Sequence, residues 1–248
     1  MSDKKDLKQA FYPETAFGGY TRIDGTVAFF TRIRFLIDSE STVLDVGCGR
    51  GAAKEKLERT SCTSVRILRG HCHRVIGIDV DPVGAENPFL DEFHLIQGDT
   101  WPIESDSVDL LYSDYVLEHI ADPDAFFREC RRVVKIGGVV CFRTPNRWSY
   151  VSLISALIPN RAHAKVLSTM GTSRKEEDVF PTYYRANSRG KLTRLLSKHG
   201  FEGCVFPHSG PPGYFASSRL LYGLGVFVHR WTPGPLQTTL FVFARRVG

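Results

Sequence analysis

Val43-Leu44-Asp45-Val46-Gly47-Cys48-Gly49-Arg50-Gly51 is the stretch that decides how the rest of the chain is read. Apolar residues around a single Asp read as a buried strand, and three glycines at alternate positions form a tight turn. Ala52-Ala53-Lys54-Glu55-Lys56-Leu57 follows with good helix propensity, and this helix is expected to end near Glu58. Strand, glycine turn and helix are the plan of a nucleotide-binding βα unit, in which a ligand meets backbone that carries no Cβ.

The glycines are spaced G-x-G-x-G, unlike the G-x-G-x-x-G of dinucleotide folds, and Asp45 precedes them inside the strand. Downstream, Val75-Ile76-Gly77-Ile78-Asp79 reads as a second strand ending in an acid. Phe93-His94-Leu95-Ile96-Gln97 reads as a third, followed by Gly98-Asp99-Thr100-Trp101-Pro102. Ser107 to Asp114 reads as a fourth, followed by Tyr115-Val116-Leu117-Glu118-His119-Ile120. The ordered motifs V-L-D-V-G-C-G-R-G, G-I-D-V-D, Q-G-D and V-L-E-H-I resemble those of class I S-adenosylmethionine (SAM)-dependent methyltransferases, in particular the small-molecule type found in ubiquinone biosynthesis. The resemblance is strong over about residues 41–146 and weaker over 188–247.

That resemblance implies a single methyltransferase domain over residues 1–248. Its fold is α/β, a doubly wound, Rossmann-like sheet of seven strands in the order 3-2-1-4-5-7-6, with the seventh antiparallel. The implied cofactor is SAM. Asp45, Gly47, Cys48, Gly49 and Gly51 would surround its charged end, since an acid suits an ammonium and a sulfonium. Asp79 would accept hydrogen bonds from the ribose hydroxyls, with Val80 beside it. Asp99, Thr100 and Trp101 would meet the adenine through a carboxylate, an amide and an aromatic face. Asp114 and Tyr115, at the end of strand four, complete the cofactor set. The bland alternatives are that Asp79 is a solvated strand-end acid and that Asp99 caps a turn.

Residues 1–40 carry a helix-like apolar face at Ala28-Phe29-Phe30, Ile33 and Phe35-Leu36-Ile37. They are expected to form a helical cap, with Tyr20 and Arg22 as candidates for substrate contact. Gly51 and Asp79 lie 28 positions apart, where a compact unit places the acid about 20 residues on. The excess, Arg59 to Arg74, is read as an insertion. Asp122-Pro123-Asp124 caps a helix with Phe126, Phe127, Cys130, Val133 and Val134 on one face; Lys135-Ile136-Gly137-Gly138 is expected to close it. Val139 to Thr144 reads as strand five.

Regular alternation stops between Arg147 and Asn187, so residues 147–187 are read as a substrate lid or a structural elaboration. Within it, Val151 to Ile158 is apolar and Ser173 to Asp178 is charged. Tyr183, Tyr184 and Arg185 are candidates for acceptor binding. Ser188 starts a helix ending at Gly200, Phe201 to Phe206 reads as strand six, and Thr238 to Ala244 as the last strand. The apolar run Leu220 to Val228 could be a core helix, or a membrane-facing or substrate-facing patch; core is the default.

The expected activity is methyl transfer from SAM to an O, N or C atom of a small-molecule, lipid-linked or sugar-linked acceptor. His119 leads the candidates for general base, followed by Tyr183, Tyr184 and His208, the last also a substrate contact. Alternatives are an NAD-dependent oxidoreductase or a non-catalytic SAM-binding protein. The 248 residues are 42% hydrophobic and 24% charged, with a net charge of +5. That balance disfavours disorder, and the dispersed basic residues give no reason to expect a nucleic-acid partner. No N-P-P-Y-type tetrad follows strand four, which speaks against methylation of DNA bases. Six cysteines without a C-x-x-C pair read as reduced thiols in a cytoplasmic protein. His71-Cys72-His73 reads as loop rather than metal site. No signal peptide and no membrane-spanning run are recognised.

Overall fold

The computed structural model describes residues 2–51, 64–152, 181–212 and 218–248. Its elements are α1 (Ser2–Phe11), α2 (Gly25–Phe35), β1 (Thr42–Val46), β2 (Arg74–Asp79), β3 (Glu92–Leu95), β4 (Val108–Asp114), α3 (Pro123–Val133), β5 (Val134–Pro145), α4 (Arg189–Lys198), β6 (Phe201–His208), α5 (Arg219–Trp231) and β7 (Thr239–Arg246). The strands form one sheet in the order β3-β2-β1-β4-β5-β7-β6. β1 to β5 are parallel; β7 runs antiparallel between β5 and β6. The order and the reversed last strand are those the resemblance implied.

Strand side chains alternate between faces, and the core divides accordingly. Leu44, Val46, Ile76, Ile78 and Phe142 meet Phe126 and Phe127 of α3 and Leu192 and Leu195 of α4 on one face. Val43, Val75, Leu110, Tyr112 and Cys141 meet Phe29, Phe30 and Ile33 of α2 on the other. α2 begins at Asp24, whose carboxylate accepts the amides of Thr26 and Val27. Asp122 caps α3 in the same way through Asp124 and Ala125.

Two expectations change. Lys135-Ile136-Gly137-Gly138 does not end α3, which stops at Val133. Val134 already pairs with Val108, and the next rung joins Val139 to Leu110, so the four residues bulge out of β5. Basic residues and glycines serve a bulge as well as a helix end, which is why the pattern misleads. Second, Leu220 to Val228 is not core. α5 buries Tyr222, Gly225 and His229 and leaves Leu220, Leu224 and Phe227 exposed by 84%, 57% and 61%. The tail of the expected insertion, Ser64 to His73, is turn and loop held against α2; Arg34 donates to the carbonyls of Ser64 and Ile67. The expected helix from Ala52 to Glu58 and most of the expected lid, residues 153–180, lie outside the described residues.

Candidate active site

The carboxyl ends of β1, β2 and β4 open into a cavity of about 1010 Å³. This is the end of an open α/β sheet at which ligands bind. Its floor is the glycine turn after β1. Gly47, Gly49 and Gly51 all have positive φ, at 73°, 49° and 75°. A Cβ on Gly47 would strike the side chain of Val116, and one on Gly51 would strike that of Asn87. A Cβ on Gly49 would meet nothing among the described residues, so on their side that backbone faces open space where a ligand can lie against it.

Asp79 ties the turn together. Its two oxygens accept the amides of Gly49 at 2.8 Å and Asp81 at 3.0 Å. Carboxylate oxygens each have a further lone pair, so two hydroxyls could still be accepted. Asn87 donates to the Cys48 carbonyl and pins the turn from the far side.

Asp45 is half-buried on the α2 face, beside Tyr112, where it lines the cavity. Burial pushes its carboxyl up to about 7; the Tyr112 hydroxyl bond pulls it down, and the nearby Asp114 raises it again. A carboxyl whose charge is disfavoured where it stands gains from a cationic ligand placed beside it. Burial likewise pushes the Cys48 thiol up, which makes it a wall of the cavity rather than a nucleophile.

At the end of β4, Asp114 receives a fork from Arg143 of β5, with Nε at 2.5 Å and Nη2 at 2.6 Å. Arg66 adds a third bond at 2.9 Å. Arg143 also donates to the Thr26 hydroxyl and lies 4.9 Å from the centre of the Tyr115 ring. Tyr115 itself has φ 61°, a left-handed conformation uncommon for a bulky side chain. Thr26, Phe30, Arg66 and Arg143 all line the cavity, and none carries a motif that sequence reading could use.

The V-L-E-H-I segment forms a short 3₁₀ helix, Leu117–His119. The Glu118 carbonyl accepts the amides of Tyr183 and Tyr184, fastening the returning chain to the rim. The Glu118 side chain is buried, which raises its pKa; Thr144 donates to it at 3.2 Å. His119 Nδ1 lies 2.9 Å from the Pro181 carbonyl. A carbonyl only accepts, so the neutral ring carries its proton on Nδ1 and its basic lone pair on Nε2.

Of the residues expected from sequence, the cavity wall includes Asp45, Gly47, Cys48, Gly49, Gly51, Asp79, Val80, Trp101, Asp114, Tyr115, His119 and Tyr183. Trp101 is buried edge-on against Phe126, and its amide is held by Glu129. The other candidates lie outside that wall. Asp99 and Thr100 are exposed. Tyr20 is partly exposed, and Arg22 pairs loosely with Glu14. His208 stacks on Phe241 and bonds the Ile23 carbonyl. Tyr184 touches the rim through its backbone, and Arg185 donates to the Ala121 carbonyl at 2.6 Å.

Residues 44–142 match the family model described as a methyltransferase domain. Over that stretch the chain is similar to a methyltransferase domain. A "Probable S-adenosylmethionine-dependent methyltransferase" of Mycolicibacterium smegmatis is 29% identical over 64% of this chain and 51% of its own. A ubiquinone biosynthesis O-methyltransferase of Pseudomonas entomophila is 32% identical over 42% of this chain and 44% of its own. The chain thus spans about half the length, or less, of these curated relatives. Among solved structures, the geranyl diphosphate C-methyltransferase of Streptomyces coelicolor superposes with a TM-score of 0.54 at 15% identity, over 89% of this chain and 77% of that one. A chain of the Haloferax volcanii complex between the Trm112 methyltransferase activator and a methyltransferase reaches 0.56 at 17% identity, over 99% and 97%. Both show the same fold. The cofactor of the SAM-dependent family fits the residues present: a turn open at Gly49, a strand-end acid at Asp79, and a half-buried carboxyl at Asp45 suited to a cation.

Proposed function

We propose that this protein transfers the methyl group of SAM to a small-molecule, lipid-linked or sugar-linked acceptor. The observation that carries the reading is the cavity. It joins the glycine turn and Asp79 to a second wall of Phe30, Arg66, Tyr115, His119 and Tyr183. At about 1010 Å³ it is at the upper end of single-ligand pockets, which leaves space for an acceptor beside a cofactor.

SAM, once bound, supplies a methyl group on a sulfonium that an aligned nucleophile can take. The chain's own work is therefore to bind, align and dry the site. Asp45 would face the cationic end, the open backbone at Gly49 would support the amino-acid portion, and Asp79 would hold the ribose. Aromatic and aliphatic groups on the second wall suit an acceptor with an apolar body. His119, with its basic lone pair on Nε2, is the residue best suited to remove a proton from an O or N acceptor. Tyr183, brought to the wall by the Glu118 carbonyl, would pack against the acceptor.

Calorimetry with SAM, S-adenosylhomocysteine and NAD tests the cofactor. Binding of the first two without NAD is expected; the reverse would overturn the reading. Transfer of labelled methyl to a component of fractionated extract, lost in His119→Ala with SAM affinity retained, tests catalysis and the base together.

A further inference from the structure

α5 is inverted relative to an ordinary surface helix. At 100° per residue, Tyr222, Gly225 and His229 fall on one side, and that side faces the protein. His229 is anchored at both ring nitrogens: Nδ1 to the Gly210 carbonyl at 2.7 Å, Nε2 to the Tyr150 hydroxyl. Phe11 of α1 packs against Tyr222. The opposite side is a continuous stripe of Leu220, Leu221, Leu224, Phe227, Val228 and Trp231, each at least 37% exposed. Singly exposed apolar residues are ordinary; a full stripe of leucine, phenylalanine and tryptophan on one helix is not.

Two further observations identify what the stripe meets. The first is charge. Arg219 and Arg230 are exposed along one edge of the stripe, α5 contains no acid, and from Gly203 to Gly248 the chain has four arginines and no Asp or Glu. An apolar face bordered by arginine complements a surface with an anionic outer layer over hydrocarbon. The second is position. β6 ends at His208 and β7 begins at Thr239, and these two residues pair with each other at the same level as Pro145 of β5. The excursion that carries α5 therefore leaves and rejoins the sheet at its carboxyl edge, the edge on which the cavity opens. Tyr115, in the cavity wall, has its hydroxyl 3.5 Å from that of Thr239.

We infer that α5 is an interfacial helix that docks the protein on an anionic lipid surface, with its stripe in the acyl boundary and the cavity rim turned toward the membrane. Its 13 residues extend roughly 20 Å at 1.5 Å per residue, so it lies along a bilayer and does not cross one. No helix among the described residues is long and apolar enough to cross. The inference stands apart from the methyl-transfer reading, because it rests on α5 and would survive if the cavity took another cofactor.

The test is flotation of the full chain with phosphatidylcholine vesicles, with and without phosphatidylglycerol. Binding to the mixed vesicles is expected, weakened by salt and by Arg219→Glu with Arg230→Glu. Leu224→Glu with Phe227→Glu should reduce the bound fraction at least about tenfold, since two large apolar groups no longer enter the lipid. Both positions are exposed, so circular dichroism and SAM binding should be unaltered. As a measurement free of that variant, brominated lipids should quench the wild-type fluorescence, and Trp231→Phe should remove most of the quenching. Absence of vesicle binding, or binding unaffected by the stripe variant, overturns the inference. So does a concentration-dependent dimer that the stripe variant abolishes in a protein that ignores vesicles, because a second copy then covers the stripe.

Discussion

The Asp79 carboxylate accepts the Gly49 amide at 2.8 Å, so the acid of β2 holds the turn after β1 before any ligand arrives. Its other oxygen holds the Asp81 amide. Asp79→Ala should therefore weaken SAM binding by about 1.5–3 kcal/mol, the scale of hydrogen bonds to a charged group. Part of that loss comes from a loosened turn. Asp79→Asn retains one acceptor oxygen and should lose less. Calorimetry on both variants checks this; equal affinities in wild type and Asp79→Ala would remove Asp79 from the site.

Gly47 and Gly49 should respond differently to a methyl group. Gly47→Ala must adopt φ 73° and also push Cβ to within 2.4 Å of Val116. Among the described residues, Gly49→Ala faces only the conformational cost of φ 49°, about 1–2 kcal/mol. In urea titrations Gly47→Ala should be the less stable by at least about 1 kcal/mol. Gly49→Ala should fold but bind SAM poorly, because its methyl group occupies the space against the open backbone.

Asp45 makes stability and binding depend on pH in opposite ways. Its folded pKa, about 7, lies above its ordinary value of 3.8, so the folded chain keeps a proton that the unfolded chain has released. Its contribution to stability is thus largest at low pH and is lost as pH rises through about 7. A cationic ligand needs the carboxylate, so SAM affinity should rise over that same interval. Asp45→Asn should flatten both trends relative to wild type, as read from urea midpoints and calorimetry across this range. A wild-type SAM affinity that is constant with pH would separate Asp45 from the cation.

Arg143 and Asp114 form a buried fork, with 5% and 9% of their side chains exposed. Arg143→Leu leaves Asp114 with Arg66 alone and should cost about 3–5 kcal/mol. Arg143→Lys supplies charge but not the fork, so it should recover only part of this. Denaturant midpoints rank the three proteins.

Tyr183 and Arg185 are neighbours with different duties. Tyr183 is in the cavity wall, while Arg185 donates to Ala121 and lies 5.4 Å from the Tyr183 ring centre. Tyr183→Ala should raise the acceptor KM with SAM affinity unchanged. Arg185→Ala should lower the thermal midpoint and affect the acceptor only through Tyr183. A larger acceptor effect from Arg185→Ala than from Tyr183→Ala would reverse the assignment.

What sequence reading captured, and what it missed, follows from range. The β1 strand and glycine turn are local: alternating burial and positive φ leave their mark within a few residues, whereas the strand order was implied only by the family resemblance that such motifs carry. The Arg143–Asp114–Arg66 cluster joins three separate segments, and arginine in strand five carries no local sign of its partner. Composition told that Leu220 to Val228 is apolar but not which way it faces; orientation was set by Tyr222 and His229, whose partners lie on other elements. The bulge at Lys135 to Gly138 was hidden because glycine after a basic run serves both a helix end and a strand irregularity.

The pairing of His208 with Thr239 has one more consequence. Strands β6 and β7 are the two arms of a hairpin, and everything from Ser209 to Thr238 is its loop. Exchanging that loop for a tight turn would lower the entropic cost of closing the hairpin, and it would also take the Pro235 and Gln237 carbonyls away from the buried Asn146 side chain. α5 is thus carried by the hairpin loop and not by the sheet, and the contacts of Tyr222 and His229 are what fix its orientation.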